Sequence, residues 1–185
     1  MESIIDDKIY ELSTKEENFE LVYDINQRFE SIKERLRKEF WASLLIYLKN
    51  NSTNLIIRNE DDWLISLQDK KWNLFKINIE WGNDYVMNYG LYIEELKYKK
   101  QTRQVYKYLV KLDFLTDFNQ DIYEDADGLC FYKYFSHDFT KLYSLKKLLP
   151  ENRTDLFKEL SQSLNELHKQ IENNFIEIEE RINNR

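Results

Sequence analysis

Val22, Ile25, Phe29, Ile32 and Leu36 recur at alternating spacings of three and four residues, and the stripe continues through Phe40, Leu44 and Leu48. Only an α-helix brings such positions onto one face, so this pattern excludes an all-β fold. Ser13 or Thr14 is placed to cap the helix, and Glu16 and Glu17 stand in its first turn, where the helix dipole favours carboxylates. Asn50-Asn51-Ser52 ends it. A helix from about 15 to 50 is roughly 54 Å long. Residues 1–13 read as a short lead-in. A second stripe follows Thr154 or Asp155, through Phe157, Leu160, Leu164, Leu167 and Ile171, then Ile178 and Ile182. Asn174 interrupts its repeat, with Phe175 beside it.

Between the two stripes the period falls to two. NLIIR (54–58), WLISLQ (63–68) and WNLFKINIEW (72–81) read as strands. In the last of these, Phe75, Ile77, Ile79 and Trp81 alternate with Lys76, Asn78 and Glu80, the mark of a half-buried strand. Gly82-Asn83-Asp84 signals a hairpin turn, and YVMNYGLYIEEL (85–96) returns. LCFYKYF (129–135) is a fifth strand. QTRQVYKYLVKL (101–112) reads as a short helix, and residues 139–149 as a helix stopped by Pro150. The expected fold is therefore α+β in a single domain, 1–185. A small antiparallel, aromatic-rich sheet of about five strands (about 54–135) is flanked by the helix at about 15–50 and C-terminal helices at about 139–183. The simplest assembly is a strand meander with the two long helices packed antiparallel. The alternative is that their stripes pair between chains.

Three glycines and one proline among 185 residues leave little from which to build a phosphate-cradling loop, and no Gly-x-Gly-x-x-Gly or Walker pattern occurs. The net charge of −7 opposes direct binding of a phosphate backbone and suits a protein partner with a basic face. Cys130 is the single cysteine, so no intrachain disulfide forms. The opening MESIIDDKIYEL is too polar for a secretory signal, and no run of about 20 apolar residues offers a membrane span. A soluble, cytoplasmic protein without membrane contact is expected.

Each catalytic pattern in the chain has a plainer explanation. Glu95-Leu96-Lys97 has the acid-x-lysine spacing of a metal-dependent nuclease, making Glu95 and Lys97 the catalytic candidates. The best upstream acid, Asp84, is eleven residues away, roughly 36 Å along one strand and too far to share an ion. A hairpin centred on Asn83 instead sets Glu95 by Lys71 and Lys97 by Asp69, as ordinary cross-strand ion pairs. Ser136-His137-Asp138 has the letters of a triad, but adjacent side chains diverge. His168 stands four residues before Glu172 on a helix, which suggests a contact within that helix. Two histidines and one cysteine make no zinc site of familiar spacing. Asp125-Ala126-Asp127-Gly128 echoes an EF-hand loop, yet that register puts tyrosines at its first and twelfth positions. No metal or other cofactor is expected. Cys130, between Leu129 and Phe131, reads as core.

The order of landmarks is similar to a known protein region. FWASLLIYLKNN, Trp-rich strands, NYGLYIEEL, FYKYF and a Leu-rich terminal helix follow one another over residues 35–172. This resembles the C-terminal accessory region of large bacterial PD-(D/E)XK nuclease-like proteins. Their catalytic acids and lysine lie in a segment N-terminal to that region, where this chain has its first helix. The resemblance therefore implies a non-catalytic module from bacterial or mobile-element biology, and no catalytic residue is carried over.

Together these features suggest a protein that works by binding another protein. The sharper form is an acidic inhibitor of a nucleic-acid-handling enzyme, in an anti-restriction or anti-CRISPR-like role, with carboxylates standing where phosphate would sit. Asp113, Asp117, Asp121, Glu124, Asp125 and Asp127 are the expected contact patch. The alternatives are a degenerate or accessory nuclease domain and a homodimer joined through the terminal helices.

Overall fold

A computed structural model describes residues 2–52, 54–72, 75–82, 86–93, 106–123 and 128–183. The chain divides into two compact units, Met1–Glu39 and Phe40–Arg185, with the boundary inside a long helix.

The first unit holds helix α1 (Glu2–Ser13) and most of helix α2 (Glu16–Asn51). The expected lead-in is thus helical. Its end explains why Thr14 does not cap α2: the hydroxyl donates back to the Tyr10 carbonyl at 2.8 Å, and the Asn18 amide donates to the Leu12 carbonyl at 3.0 Å. The Tyr10 carbonyl also accepts the Thr14 amide at 3.0 Å, so Thr14 closes the end of α1 with both its groups. Along α2, Lys33 pairs with Glu30, Arg35 with Glu39 at 2.9 Å and Arg37 with Glu34 at 2.7 Å. Each is a neighbour pair at three or four residues, worth a few tenths of a kcal/mol where exposed.

The second unit carries a six-stranded antiparallel sheet. Its strands are β1 (Leu55–Asp61), β2 (Leu64–Asp69), β3 (Phe75–Trp81), β4 (Val86–Ile93), β5 (Asn119–Tyr123) and β6 (Gly128–Asp138), in the spatial order β1-β2-β3-β4-β6-β5. The first four make the expected meander. β6 then pairs with β4, and β5 forms the outer edge. The added strand lies in a stretch that reads as acidic turn, because Asn119, Gln120 and Asp121 have poor strand propensity and gain their pairing from β6. Two registers are irregular, shifting by one residue between Asn59 and Asp61 and by two between Val86 and Asn88.

Leu67, Ile77, Leu91 and Phe131 lie in register across four strands and are buried, as are Ile65 and Ile79 in the next row. The C-terminal helix α4 (Arg153–Asn183) packs on this face: Phe175 meets Phe75 at 6.1 Å, and Ser163 reaches Tyr89. Leu156, Leu160, Leu164, Leu167 and Ile171 fill the space between. The last turns of α2 join the same core through Phe40, Trp41, Leu44 and Leu48. Where α2 and α4 meet in this unit, the contact is local. The Phe157 ring lies 5.3 Å from Phe40 and 5.2 Å from Tyr47, and Arg153 donates to the Ser43 hydroxyl at 3.2 Å.

The expected helix at 139–149 is shorter than its apolar content suggests. It consists of one turn, α3 (Leu142–Leu145), and a 3-10 turn at Lys146–Leu148. Leu149 is extended (φ −64°, ψ 144°), as a residue before proline must be to avoid the ring.

Candidate functional site

The most exposed apolar surface lies on the first unit. Val22, Ile25, Phe29 and Ile32 are 39, 51, 41 and 47% exposed, and Phe19 and Leu21 beside them are more so. Ile9, Tyr10 and Leu12 on α1 are also exposed. The stripe that continues into the second unit as core, at Phe40, Leu44 and Leu48, is therefore open to solvent over its first half. The Lys33 ammonium lies over the Phe29 ring, 5.1 Å from its centre, and also pairs with Glu30, which sets one charge at the edge of the apolar face. A run of large apolar side chains in water costs free energy.

Both histidines serve the attachment of α4. His168 Nε2 bonds to Asp69 Oδ2 at 2.9 Å, and its ring packs on Trp72 at 5.1 Å. The other Asp69 oxygen accepts the Lys71 amide at 2.9 Å. Burial pushes the Asp69 carboxyl up. The Lys71 N–H and the bond and charge of His168 outweigh that, holding it below the ordinary aspartate range. Glu172 takes the Lys71 ammonium at 2.9 Å. Asp69→Asn is expected to cost about 1–3 kcal/mol at neutral pH. Because the folded-state pKa is depressed, this stabilisation is complete above the unfolded value and fades as pH falls through the folded one. Urea melts at a series of pH values from 7 to 3 should show wild type and variant converging toward the acid end.

His137 Nε2 bonds to Glu159 Oε2 at 2.9 Å, and Ser136 Oγ donates to Oε1 of the same carboxylate at 3.2 Å. Burial raises the Glu159 carboxyl, but His137, Ser136 and Lys147 together lower it. Serine and imidazole thus meet one acceptor instead of each other. Asp138 turns away to accept the Thr140 amide at 2.9 Å, so the three adjacent residues form no triad.

The sheet's other face is polar. Ser66, Asn78, Gly90 and Tyr132 lie in register, as do Glu80, Asn88 and Tyr134. Ser66 donates to Asn78 at 2.9 Å with both buried. Burial pushes the Glu80 carboxyl up, Asn88 partly offsets this by hydrogen bonding, and the Asp61 charge adds to it.

Among the six expected patch residues, Asp113 and Asp117 are exposed, in a 3-10 turn (Asp113–Leu115) and just after it. Asp121 lies on the edge strand β5, and Glu124, Asp125 and Asp127 fall outside the described residues, as do Glu95 and Lys97. The cross-strand pairs expected for those last two lie with them outside the described residues, but the hairpin centre differs from the one expected at Asn83. Phe75 faces Ile93 and Trp81 faces Met87, which centres the hairpin on residue 84, and Lys71 and Asp69 are engaged by α4. His168 likewise turns to Asp69 and not to Glu172. Cys130 is buried, as expected of a core residue.

Among the described residues, no group of three or more His, Cys, Asp or Glu converges to hold a metal, and no helix is long and apolar enough to cross a membrane. No family model, curated protein or solved structure matches the chain.

Proposed function

We propose that this protein acts in the cytoplasm by binding another protein and performs no catalysis of its own. The observation that supports this is the solvent-exposed stripe of Val22, Ile25, Phe29 and Ile32 on α2. Surface positions carry no folding requirement for large apolar groups in helical register, whereas a helix-in-groove or helix-on-helix contact does. The double variant Ile25→Glu/Phe29→Glu is expected to fold with an unchanged circular dichroism spectrum and to lose the partner that wild type retains in a nuclease-treated pull-down. Equal recovery by both proteins would remove the stripe from the binding surface.

A second reading is favoured by the exposure of Asp113 and Asp117 on the segment that leads into the outermost strand. Here the protein is an acidic inhibitor of a nucleic-acid-handling enzyme, in defence-related bacterial or phage biology, offering carboxylates to a phosphate-binding surface. Its affinity for such an enzyme should fall steeply with salt. Asp113→Asn/Asp117→Asn should flatten that dependence; identical salt curves for wild type and variant would exclude this reading.

A further inference from the structure

We infer that the stripe on the first part of α2 is covered by the same stripe of a second copy, with the two helices antiparallel about a two-fold axis between Ile25 and Phe29. This rests on the protein-binding reading above and names its partner.

Charge selects the partner and its direction. Glu16, Glu17, Glu20 and Asp24 occupy the start of α2 with no basic residue among them, whereas further along Arg28, Lys33, Arg35 and Lys38 outnumber Glu30, Glu34 and Glu39; Arg37 is buried against Glu34 and is not counted. The segment is acidic at one end and basic at the other. A parallel pair of copies would set acid beside acid and base beside base. An antiparallel pair sets each acidic end beside the partner copy's basic end and opposes the two helix dipoles. The apolar positions obey the same symmetry. With the axis midway between Ile25 and Phe29, Ile25 of one copy faces Phe29 of the other, and Val22 faces Ile32. These four residues then pair apolar to apolar, as an isologous contact demands, while Phe19 and Leu21 meet the stems of Arg35 and Lys33. In this register Glu16 stands opposite Lys38, whereas Glu20 and Asp24 stand opposite Glu34 and Glu30 and Arg28 approaches its own copy near the axis, like-charge approaches that the oppositely charged ends must outweigh.

The area is of the right size. Phe19, Leu21, Val22, Ile25, Phe29 and Ile32, each about half exposed, present on the order of 500 Å². The stems of flanking charged residues bring this to roughly 600–800 Å² per copy, within the range of a specific pair.

The test uses the full chain. Sedimentation equilibrium from about 1 to 100 μM is expected to give a mass of two chains, with Ile25→Glu/Phe29→Glu raising the dissociation constant at least about tenfold. Direction is read from disulfides in a Cys130→Ser background. Val22→Cys chains mixed with Ile32→Cys chains should link unlike to unlike. Preferential like-to-like links would overturn the antiparallel register. A monomeric wild type that still loses a different captured protein on Ile25→Glu/Phe29→Glu substitution would overturn self-pairing and leave the protein-binding reading intact. A monomer for which that substitution changes nothing would end both.

Discussion

Gly90→Ala is expected to destabilise the protein by about 4 kcal/mol or more, a large share of the roughly 5–15 kcal/mol that holds a domain folded. Gly90 lies in the middle of β4, between β3 and β6. A Cβ built there would stand 2.0 Å from the Phe131 carbonyl oxygen and 2.6 Å from the Tyr132 Cα. Both are backbone atoms of β6, so no side-chain rotation can relieve the overlap. The strands would have to part, breaking a ladder at the centre of the sheet. Gly82 provides the control: its Cβ would approach the Val86 carbonyl oxygen to 3.3 Å, which a small shift accommodates. Urea denaturation should find Gly82→Ala folded and close to wild type, and Gly90→Ala unfolded or rearranged. A cooperative Gly90→Ala transition at the wild-type midpoint would refute the close-approach argument.

The second large effect is expected at Trp81, the last residue of β3. Its ring stacks on Phe139 at 4.8 Å and meets Phe40 and Trp41 edge-on at 5.7 and 6.3 Å. One side chain therefore joins the sheet, the last turns of α2 and the segment after β6. Truncation to alanine removes a bicyclic ring from a fully packed site, and neighbours held on α2 and on the segment after β6 cannot all collapse into the gap. A loss of about 3–5 kcal/mol follows. Trp63, 38% exposed, provides the comparison. Trp63→Ala should cost much less in the same thermal or chemical melts. Similar losses for the two would mean that Trp81 is not the centre of the core.

Where an element's signature depended on near neighbours in sequence, it was legible in advance. Alternation from Phe75 to Trp81 showed a strand, and the spacing from Phe157 to Ile171 showed a helix with one apolar side; the structure has both, although the strand expected to be half-buried is covered on its polar side too, with Asn78 buried and Lys76 and Glu80 partly so. Where identity depended on a distant partner, it was not. β5 is a strand because β6 offers its edge, and Asn119 and Gln120 carry no mark of that. His168 has Glu172 one helical turn away and bonds instead to Asp69, 99 residues earlier in the chain. Proximity in sequence argued for the first contact. A buried carboxylate needing a donor decided for the second.

The candidate surface divides in the same way. Its stripe was plain from spacing alone, since the period of apolar residues follows from helix geometry. That the stripe is buried at Phe40, Leu44 and Leu48 but open at Val22, Ile25, Phe29 and Ile32 could not be read from spacing, because both halves have the same period. By itself the sequence determined two long helices, an aromatic antiparallel sheet and a charge gradient along α2, all properties of residues within a few turns of one another. Only the tertiary structure decided strand order, the partners of both histidines and which apolar side chains remain in contact with water. Those depend on what else the chain brings to the same place, and packing settles that only once every element is present.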